Sequence, residues 1–333
     1  MNFFVRFWII IIFIFCSTSF EACNDVEEFI PIPDDKPGIL NTNSDYIAIF
    51  GDIQYYTNPQ YINLYRHSLD WILHEYKNGR NIVCVLHTGD ITQTNAVSQY
   101  DVFYNATYLI GAEIPFYSLI GNHDYRWYDD IHIDGREDTH FNEFAVFPQS
   151  MQNVEAQFET GRMENIIVRT VVQGHILYFI LLEFGPRDEV VEWANQYVRR
   201  NPDINFVVCT HEYLEKGGGR RTTGLKCVSQ LQNTTYNTPE QLWNRLIKCN
   251  DNIICVLCGH VGGLYALTID VNDYGHEVPQ IQHNIQSPNY RYDNWLMLWE
   301  FPEKGDSASV FIYNTKTELF YNYQTTLFNF KYR

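Results

Sequence analysis

Residues 115–124 read PFYSLIGNHD, an apolar run that ends in a glycine, an amide, an imidazole and a carboxylate. Short apolar runs bounded by glycine are typical of buried strands, so we predict a strand over Pro115–Ile120. Asn122, His123 and Asp124 follow at its carboxyl end. In open α/β sheets, ligands bind beyond the carboxyl ends of the strands, and this stretch is therefore a candidate functional site.

The same arrangement recurs along the chain. Four other polar clusters each follow a predicted strand: Gly51-Asp52-Ile53-Gln54, Gly89-Asp90-Ile91-Thr92-Gln93, His211-Glu212 and Gly259-His260-Val261-Gly262. Loops at strand ends would bring these distant segments around one crevice. Carboxylate, amide oxygen and imidazole together are the ligands of divalent ions such as Mn, Fe, Zn or Mg, so the pattern predicts a metal site.

The segments between these clusters indicate the fold class. From Tyr46 onward, short apolar runs alternate with amphipathic segments, which is typical of βαβ units. We predict helices over Pro59–Tyr76, Ser98–Ile110, Pro186–Arg200 and Pro239–Lys248. From Leu264 onward the chain contains only strand-like runs. The sequence therefore predicts two sheets packed face to face under helices.

The order GD, GD, GNHD, H and GH resembles the calcineurin-like metallophosphoesterase family, whose pattern is DxH, GDxx(D/N), GNH(D/E), a lone H and GHxH. The match covers residues 46 to 265. The stretches Asp52-Ile-Gln-Tyr-Tyr and Glu183-Phe-Gly-Pro-Arg-Asp are similar to an exported bacterial-type branch with DxQ in place of DxH. The resemblance implies an α/β fold, namely a four-layer αββα sandwich of two mixed sheets with a C-terminal β segment.

The resemblance also implies an activity and a set of metal ligands. The activity is hydrolysis of a phosphomonoester or phosphodiester by a metal-bound hydroxide, with one or two divalent ions as cofactors. Asp52 would bind the first metal, and Asp90 would bridge both metals. The second metal would be completed by Asn122, His211 and His260.

Two catalytic residues are implied in the same way. His123 would stand near the leaving group as a general acid or charge stabiliser, oriented by Asp124. Glu212 is expected to lie behind the ligands or at the surface. His87 precedes Asp90 by three residues, and strand alternation places it on the opposite face, so it is expected to be structural.

Two departures from the family pattern affect the first metal. Gln54 replaces the histidine of DxH and offers a neutral carbonyl oxygen, and Gly262 replaces the last histidine of GHxH and offers no side chain. A harder ion such as Mg or Mn would suit the ligands that remain at the first site. Alternatively, the first site is empty. Two functions therefore stay open: an active phosphoesterase, and a catalytically weak or inactive metal-binding or scaffold protein that retains the fold.

Other segments allow two interpretations each. The loop Gly217-Gly-Gly-Arg-Arg221 would bring two guanidinium groups to an anionic substrate, or it is a solvated loop. Tyr125, Trp127 and Tyr128 would line a pocket for a sugar or base, or they pack as ordinary aromatic residues.

The net charge of −17 opposes binding to nucleic acid, which depends on clustered Lys and Arg.

The sequence around most of the cysteines favours buried thiols rather than metal-binding or redox-active ones. Cys84, Cys209, Cys255 and Cys258 lie inside Val/Ile/Leu runs, where buried thiols pack as small apolar groups. Cys227 and Cys249 would pair as a disulfide in an oxidising compartment.

The amino terminus predicts export. An apolar run, Phe7–Phe15, follows Arg6 and ends in small residues, which is the layout of a signal peptide. We predict a signal peptide over 1–22, a tether over 23–44, a metallophosphoesterase domain over 45–300, and a C-terminal β segment over 301–333 packed on the same domain. The protein would be secreted, or it would be a periplasmic or cell-surface lipoprotein attached to a membrane through a lipidated Cys23.

Overall fold

The computed structural model describes residue 32 and residues 38–127, 132–133, 135–222 and 227–329. The predicted signal peptide and Cys23 lie outside these residues. The helices are α1 (Ile62–Lys77), α2 (Val97–Glu113), α3 (Phe141–Phe144), α4 (Asp188–Arg200) and α5 (Pro239–Leu242). The strands are β1 (Ser44–Phe50), β2 (Asn81–His87), β3 (Phe116–Ser118), β4 (Val154–Gln157), β5 (Ile166–Val172), β6 (His175–Leu182), β7 (Asn205–Thr210), β8 (Ile253–Cys258), β9 (Ala266–Val271), β10 (Glu277–Gln282), β11 (Trp295–Pro302), β12 (Ser307–Asn314) and β13 (Leu319–Asn329).

The strands form two mixed sheets. The first has the order β13-β12-β11-β1-β2-β3, and the second has the order β4-β5-β6-β7-β8-β10-β9. In the first sheet, β1 pairs in parallel with β2 and antiparallel with β11. In the second sheet, β7 pairs in parallel with both β6 and β8. Two mixed sheets with flanking helices confirm the predicted fold class.

Strand alternation explains why the sheets stack in layers. Along β7, Val207 and Cys209 pack into the core shared with the first sheet, whereas Phe206 and Val208 pack into a second core that includes residues of α4. Successive side chains of a strand point to opposite faces, so one apolar run serves both layers. The first sheet is covered by α1 and α2, whose buried residues join the shared core.

Aromatic contacts hold the two sheets together. The rings of Phe179 on β6 and Trp299 on β11 have centroids 6.2 Å apart. Because β11 pairs directly with β1, the C-terminal strands belong to the sheet that carries the first three polar clusters. The strands after residue 295 therefore help to fix the position of β1.

All four predicted helices differ from the observed helices in their bounds: α2 runs from Val97 to Glu113 and α4 begins at Asp188, and the other two differ for visible reasons. The first helix begins at Ile62 rather than at Pro59, because the preceding residues form a turn in which Tyr61 N–H donates to the Asn58 carbonyl oxygen. The helix predicted over Pro239–Lys248 is an α-helix only to Leu242, and it continues as a wider π-helical turn to Ile247. The polar loop after the third strand also contains α3 and β4, which the sequence did not predict.

The six cysteines within the described part of the chain are free thiols. Cys255 and Cys258 are both buried and contribute to different apolar cores, so their CxxC spacing places them on opposite faces of β8. The disulfide considered between Cys227 and Cys249 is not formed. Among the helices that the structure describes, none has both the length and the apolar character needed to cross a membrane.

Candidate metal centre

The five polar clusters meet at one place between the two sheets. Three of them follow β1, β2 and β3 of the first sheet, and two follow β7 and β8 of the second sheet. All eight side chains predicted for the site are buried: Asp52, Gln54, Asp90, Asn122, His123, Asp124, His211 and His260. The hydrogen bonds described below join residues from all five loops, as strand-end placement predicted.

Four of these side chains direct acceptor atoms towards one another. His211 Nε2 lies 3.3 Å from Asp90 Oδ1 and 3.1 Å from Asn122 Oδ1. His260 Nδ1 lies 2.9 Å from Asn122 Oδ1 and 3.2 Å from His211 Nε2. Ligands bound 2.0–2.2 Å from one ion lie about 3 to 3.5 Å apart, so the cluster fits a divalent cation. Asp90, His211 and His260 alone form a candidate metal-binding triad, because one ligand atom of each lies within 4.8 Å of the others.

Contacts behind the two histidines select the nitrogen that faces the cluster. His211 Nδ1 lies 2.7 Å from the Thr88 carbonyl oxygen, which can only accept, so Nδ1 carries a hydrogen and Nε2 offers a lone pair. In His260 the other nitrogen, Nδ1, faces the cluster, because Nε2 lies 3.2 Å from Glu212 Oε2. Glu212 is buried behind His260, in agreement with one of its two predicted positions.

The electrostatics of the cluster favour positive charge. Burial raises the pKa of Asp52 well above its ordinary value. Burial also acts to raise the pKa of Asp90, but the charges of His211, His123 and His260 and the hydrogen bond to His211 together outweigh it, and the pKa of Asp90 lies below its ordinary value. Burial alone would lower the pKa of His211, yet Asp90 and Asp52 raise it to about 10. The carboxylates therefore attract positive charge to the space in front of His211 Nε2, which either a proton or a metal ion can supply.

Two of the cluster residues have a strained backbone. Asp90 has φ of 57° and His260 has φ of 70°, in the left-handed region that costs non-glycine residues about 1–3 kcal/mol each. Hydrogen bonds hold both residues in place: His123 N–H donates to Asp90 Oδ1 at 2.9 Å, and His260 N–H donates to Asp52 Oδ1 at 3.2 Å. Such strain is retained where the surroundings demand one side-chain direction.

Amide groups bind the carboxylates on the side of the cluster where the family pattern would place the first metal. Asn284 Nδ2 donates to Asp52 Oδ2 at 2.7 Å, and Gln54 Nε2 donates to Asp90 Oδ2 at 3.2 Å. Gln54 Oε1 is buried and has no hydrogen-bond partner among the described residues. At Gly262, the one atom of the described residues that an added Cβ would meet within 4 Å is the Ser287 Cβ, at 3.9 Å. Sequence reasoning missed Asn284, although it follows β10 just as the other clusters follow their strands.

The prediction that Asp124 orients His123 is corrected by the hydrogen bonds. His123 Nδ1 lies 2.8 Å from the carbonyl oxygen of Gln93. The Asp124 carboxylate instead accepts backbone N–H groups of Gly121 at 3.0 Å, Ile91 at 3.1 Å and Thr92 at 2.8 Å. Because these residues belong to the loops after β2 and β3, Asp124 fixes one loop against the other.

The other open interpretations now have definite outcomes. The guanidinium of Arg220 pairs with Glu240 and Asp270, so this part of the glycine-rich loop is neutralised. Arg221 likewise lies 3.7 Å from Glu212 and 3.4 Å from Glu215. The loop therefore does not present two unpaired guanidinium groups to a substrate.

Histidine 87 and the aromatic residues complete the surroundings. His87 is buried and accepts the N–H of Gly89 at 3.1 Å, and burial lowers its pKa to about 3, which is a structural role as expected. Tyr125 is fully buried, and the Trp127 ring lies 5.6 Å from the ring of His123. Tyr128 lies outside the described residues.

Comparisons with known proteins agree with this geometry at the level of the family. The model of the family described as "Calcineurin-like phosphoesterase" matches residues 46–278, more than half of the chain. The chain is 24% identical over 275 residues to "Uncharacterized protein YvnB" of Bacillus subtilis (strain 168). That match covers 79% of this chain and 19% of the relative, so the chain spans about a fifth of its relative's length.

Two solved structures are similar over most of the chain. One is a conserved uncharacterized protein of Streptococcus pneumoniae TIGR4, described as a predicted phosphoesterase, with a TM-score of 0.34, 8% identity, and coverage of 86% of this chain and 98% of that one. The other is Vacuolar Protein Sorting 29 from Cryptosporidium parvum, with a TM-score of 0.33, 13% identity, and coverage of 86% and 98%.

Proposed function

Because the chain belongs to the calcineurin-like phosphoesterase family, we propose that it hydrolyses a phosphomonoester or phosphodiester with the help of a divalent metal ion. One observation carries this proposal: two oxygen and two nitrogen acceptors from four different loops face one another within 2.9–3.3 Å. Buried acceptors at these distances repel one another unless positive charge lies between them.

The ion would be held by Asp90, Asn122, His211 and His260, which form a mixed oxygen and nitrogen set suited to Mn, Fe or Zn. When bound, such an ion neutralises negative charge on phosphate oxygens and lowers the pKa of a water molecule. Contacts within the chain set which imidazole nitrogen faces the ion. Thr88 lies behind His211 and leaves its Nε2 facing the ion, and Glu212 lies behind His260 and leaves its Nδ1 facing the ion.

His123 is the side chain that we assign to the leaving group. Its Nδ1 lies against the carbonyl oxygen of Gln93, which only accepts, so Nδ1 keeps its hydrogen. The proton that reaches a leaving oxygen would then come from Nε2 of the protonated ring. The backbone N–H of His123 also donates to Asp90, which ties the proton donor to the metal cluster.

This proposal is tested by removing and restoring the metal. We expect the Mn²⁺-loaded protein to hydrolyse an aryl phosphate or an aryl phosphodiester, and chelation to lower the rate by at least about a hundredfold, because the ion carries the charge stabilisation. Added Mn²⁺ should restore the rate. A tightly held ion without turnover on either substrate would contradict hydrolysis and favour the metal-binding or scaffold function.

We further propose that the first metal site is depleted. The outer oxygens of Asp52 and Asp90 accept from the amides of Asn284 and Gln54, and Gly262 offers no ligand. Amide N–H groups satisfy these carboxylate oxygens where the family pattern implies a second ion. The chain would therefore bind one ion tightly rather than two.

Restoring the two missing histidines is expected to change the metal stoichiometry. Wild type should bind about one Mn²⁺ per chain, and the Gln54→His/Gly262→His variant should bind a second, since imidazole is a common ligand of these ions. The space beside Gly262 is open, so the added side chain should be tolerated. Mass spectrometry of metal content after equilibrium dialysis measures the change.

The matched control is Gln54→His/Gly262→Phe, which adds similar bulk at residue 262 without a ligand atom. It should retain the stoichiometry of wild type. Two ions bound by wild type would show that the amide groups do not deplete the first site.

A further inference from the structure

Arg291 lies on a loop that leads directly out of the metal centre. The loop starts at Asn284, whose amide binds Asp52, and it turns back where Arg291 N–H donates to the Ser287 carbonyl oxygen at 2.9 Å. This turn places the guanidinium carbon 3.8 Å from the centre of the Tyr55 ring. Tyr55 directly follows Gln54 in the sequence, so the guanidinium rests on the residue next to that predicted ligand.

The orientation of this guanidinium is fixed by two contacts. Its face rests on the Tyr55 ring, and its Nε donates to the carbonyl oxygen of Gln286 at 2.9 Å. A cation held over an aromatic ring keeps its charge and loses little freedom when it binds a ligand. Among the described residues, neither terminal nitrogen of Arg291 has a hydrogen-bond or carboxylate partner.

Arg291 differs from the two arginines of the glycine-rich loop. The net charge is −17, and the arginines of the glycine-rich loop, Arg220 and Arg221, are both paired with carboxylates. With so many carboxylates available, an arginine whose terminal N–H groups stay unpaired is suited to a ligand that arrives from solution.

The loop also borders an opening in the site. Ser287, at the start of the Arg291 turn, is the only side chain that an added Cβ at Gly262 would meet within 4 Å among the described residues. A histidine in the family pattern would fill this position. The glycine leaves room for a ligand between the metal cluster and the Arg291 loop.

We propose that Arg291 is an anion-binding residue that takes two phosphate oxygens of the substrate through its terminal nitrogens. The inference rests on the proposed function and deepens it, since the scissile phosphate would be held between the single ion and a fixed guanidinium. The guanidinium would supply part of the positive charge that a metal ion in the first site would otherwise provide. Bidentate pairing with phosphate is the geometry for which arginine is suited.

The test measures binding of inorganic phosphate to the Mn²⁺-loaded protein by calorimetry. Arg291→Gln should weaken phosphate binding by at least about tenfold, the usual effect of losing a charge-assisted hydrogen bond. Arg291→Lys keeps the charge without the planar fork and should lie between the two. The matched control is Arg199→Gln in the exposed last turn of α4, which should bind phosphate like wild type.

Metal content and thermal stability equal to wild type would show that the Arg291 variants are folded and loaded. Unchanged phosphate affinity in Arg291→Gln, or no phosphate binding by the loaded wild type, would overturn the proposal. The readout does not depend on turnover, so a protein that binds phosphate through Arg291 and hydrolyses nothing would refute the hydrolase while leaving the anion site supported.

Discussion

Replacing Asp90 by asparagine is expected to remove most of the bound metal and to lower phosphoesterase turnover by at least about a hundredfold. The substitution keeps the shape of the side chain and removes its charge. Asp90 Oδ1 lies 3.3 Å from His211 Nε2, and its carboxylate is the main cause of the high pKa of that imidazole. Without this charge, a buried cation would lose its principal counterion.

The Asp90→Asn effect is measured by metal analysis of the purified protein and by hydrolysis of an aryl phosphate in added Mn²⁺. Asp101→Asn is the matched control, because this carboxylate is exposed on α2. The control should keep both metal and rate. Full metal occupancy in Asp90→Asn would show that Asp90 is not a ligand of the bound ion.

Gly121→Ala is expected to lower the free energy of unfolding by about 3 kcal/mol, at the upper end of overpacking effects. A Cβ at residue 121 would lie 2.2 Å from both the backbone nitrogen and Oδ1 of Asp90. The obstructing atoms include backbone, so the loops after β2 and β3 must separate. The hydrogen bond from Gly121 N–H to Asp124 would be strained at the same time.

Urea denaturation of the metal-free protein measures this loss without a contribution from metal binding. Gly217→Ala is the matched control, since an added Cβ there meets nothing within 4 Å. The control should unfold within about 0.5 kcal/mol of wild type, as surface substitutions usually do. A Gly121→Ala variant as stable as the control would mean that the two loops are not packed as closely as described.

Local patterns in the sequence were sufficient for the fold class and for the residue types of the site. The apolar runs before the polar clusters at residues 51, 89 and 121 predicted strands, and the structure brings these clusters to the same end of the molecule. Helix bounds were less accurate, because the turn before Ile62 and the π-helical turn after Leu242 depend on how the chain packs. The signal peptide and the lipidation of Cys23 stay predictions from the sequence.

Taken alone, the sequence determined which side chains stand at strand ends, since strand and turn signals are local and need no knowledge of distant residues. Only the tertiary structure decided which of them face one another. It brought the amide of Asn284 into a hydrogen bond with Asp52, 232 residues away in the sequence. It also brought the Gln93 carbonyl oxygen to His123 Nδ1, and the carboxylate of Asp124 to backbone N–H groups of the neighbouring loop. These contacts depend on the register of two sheets and on how the sheets pack, which no short window of sequence contains.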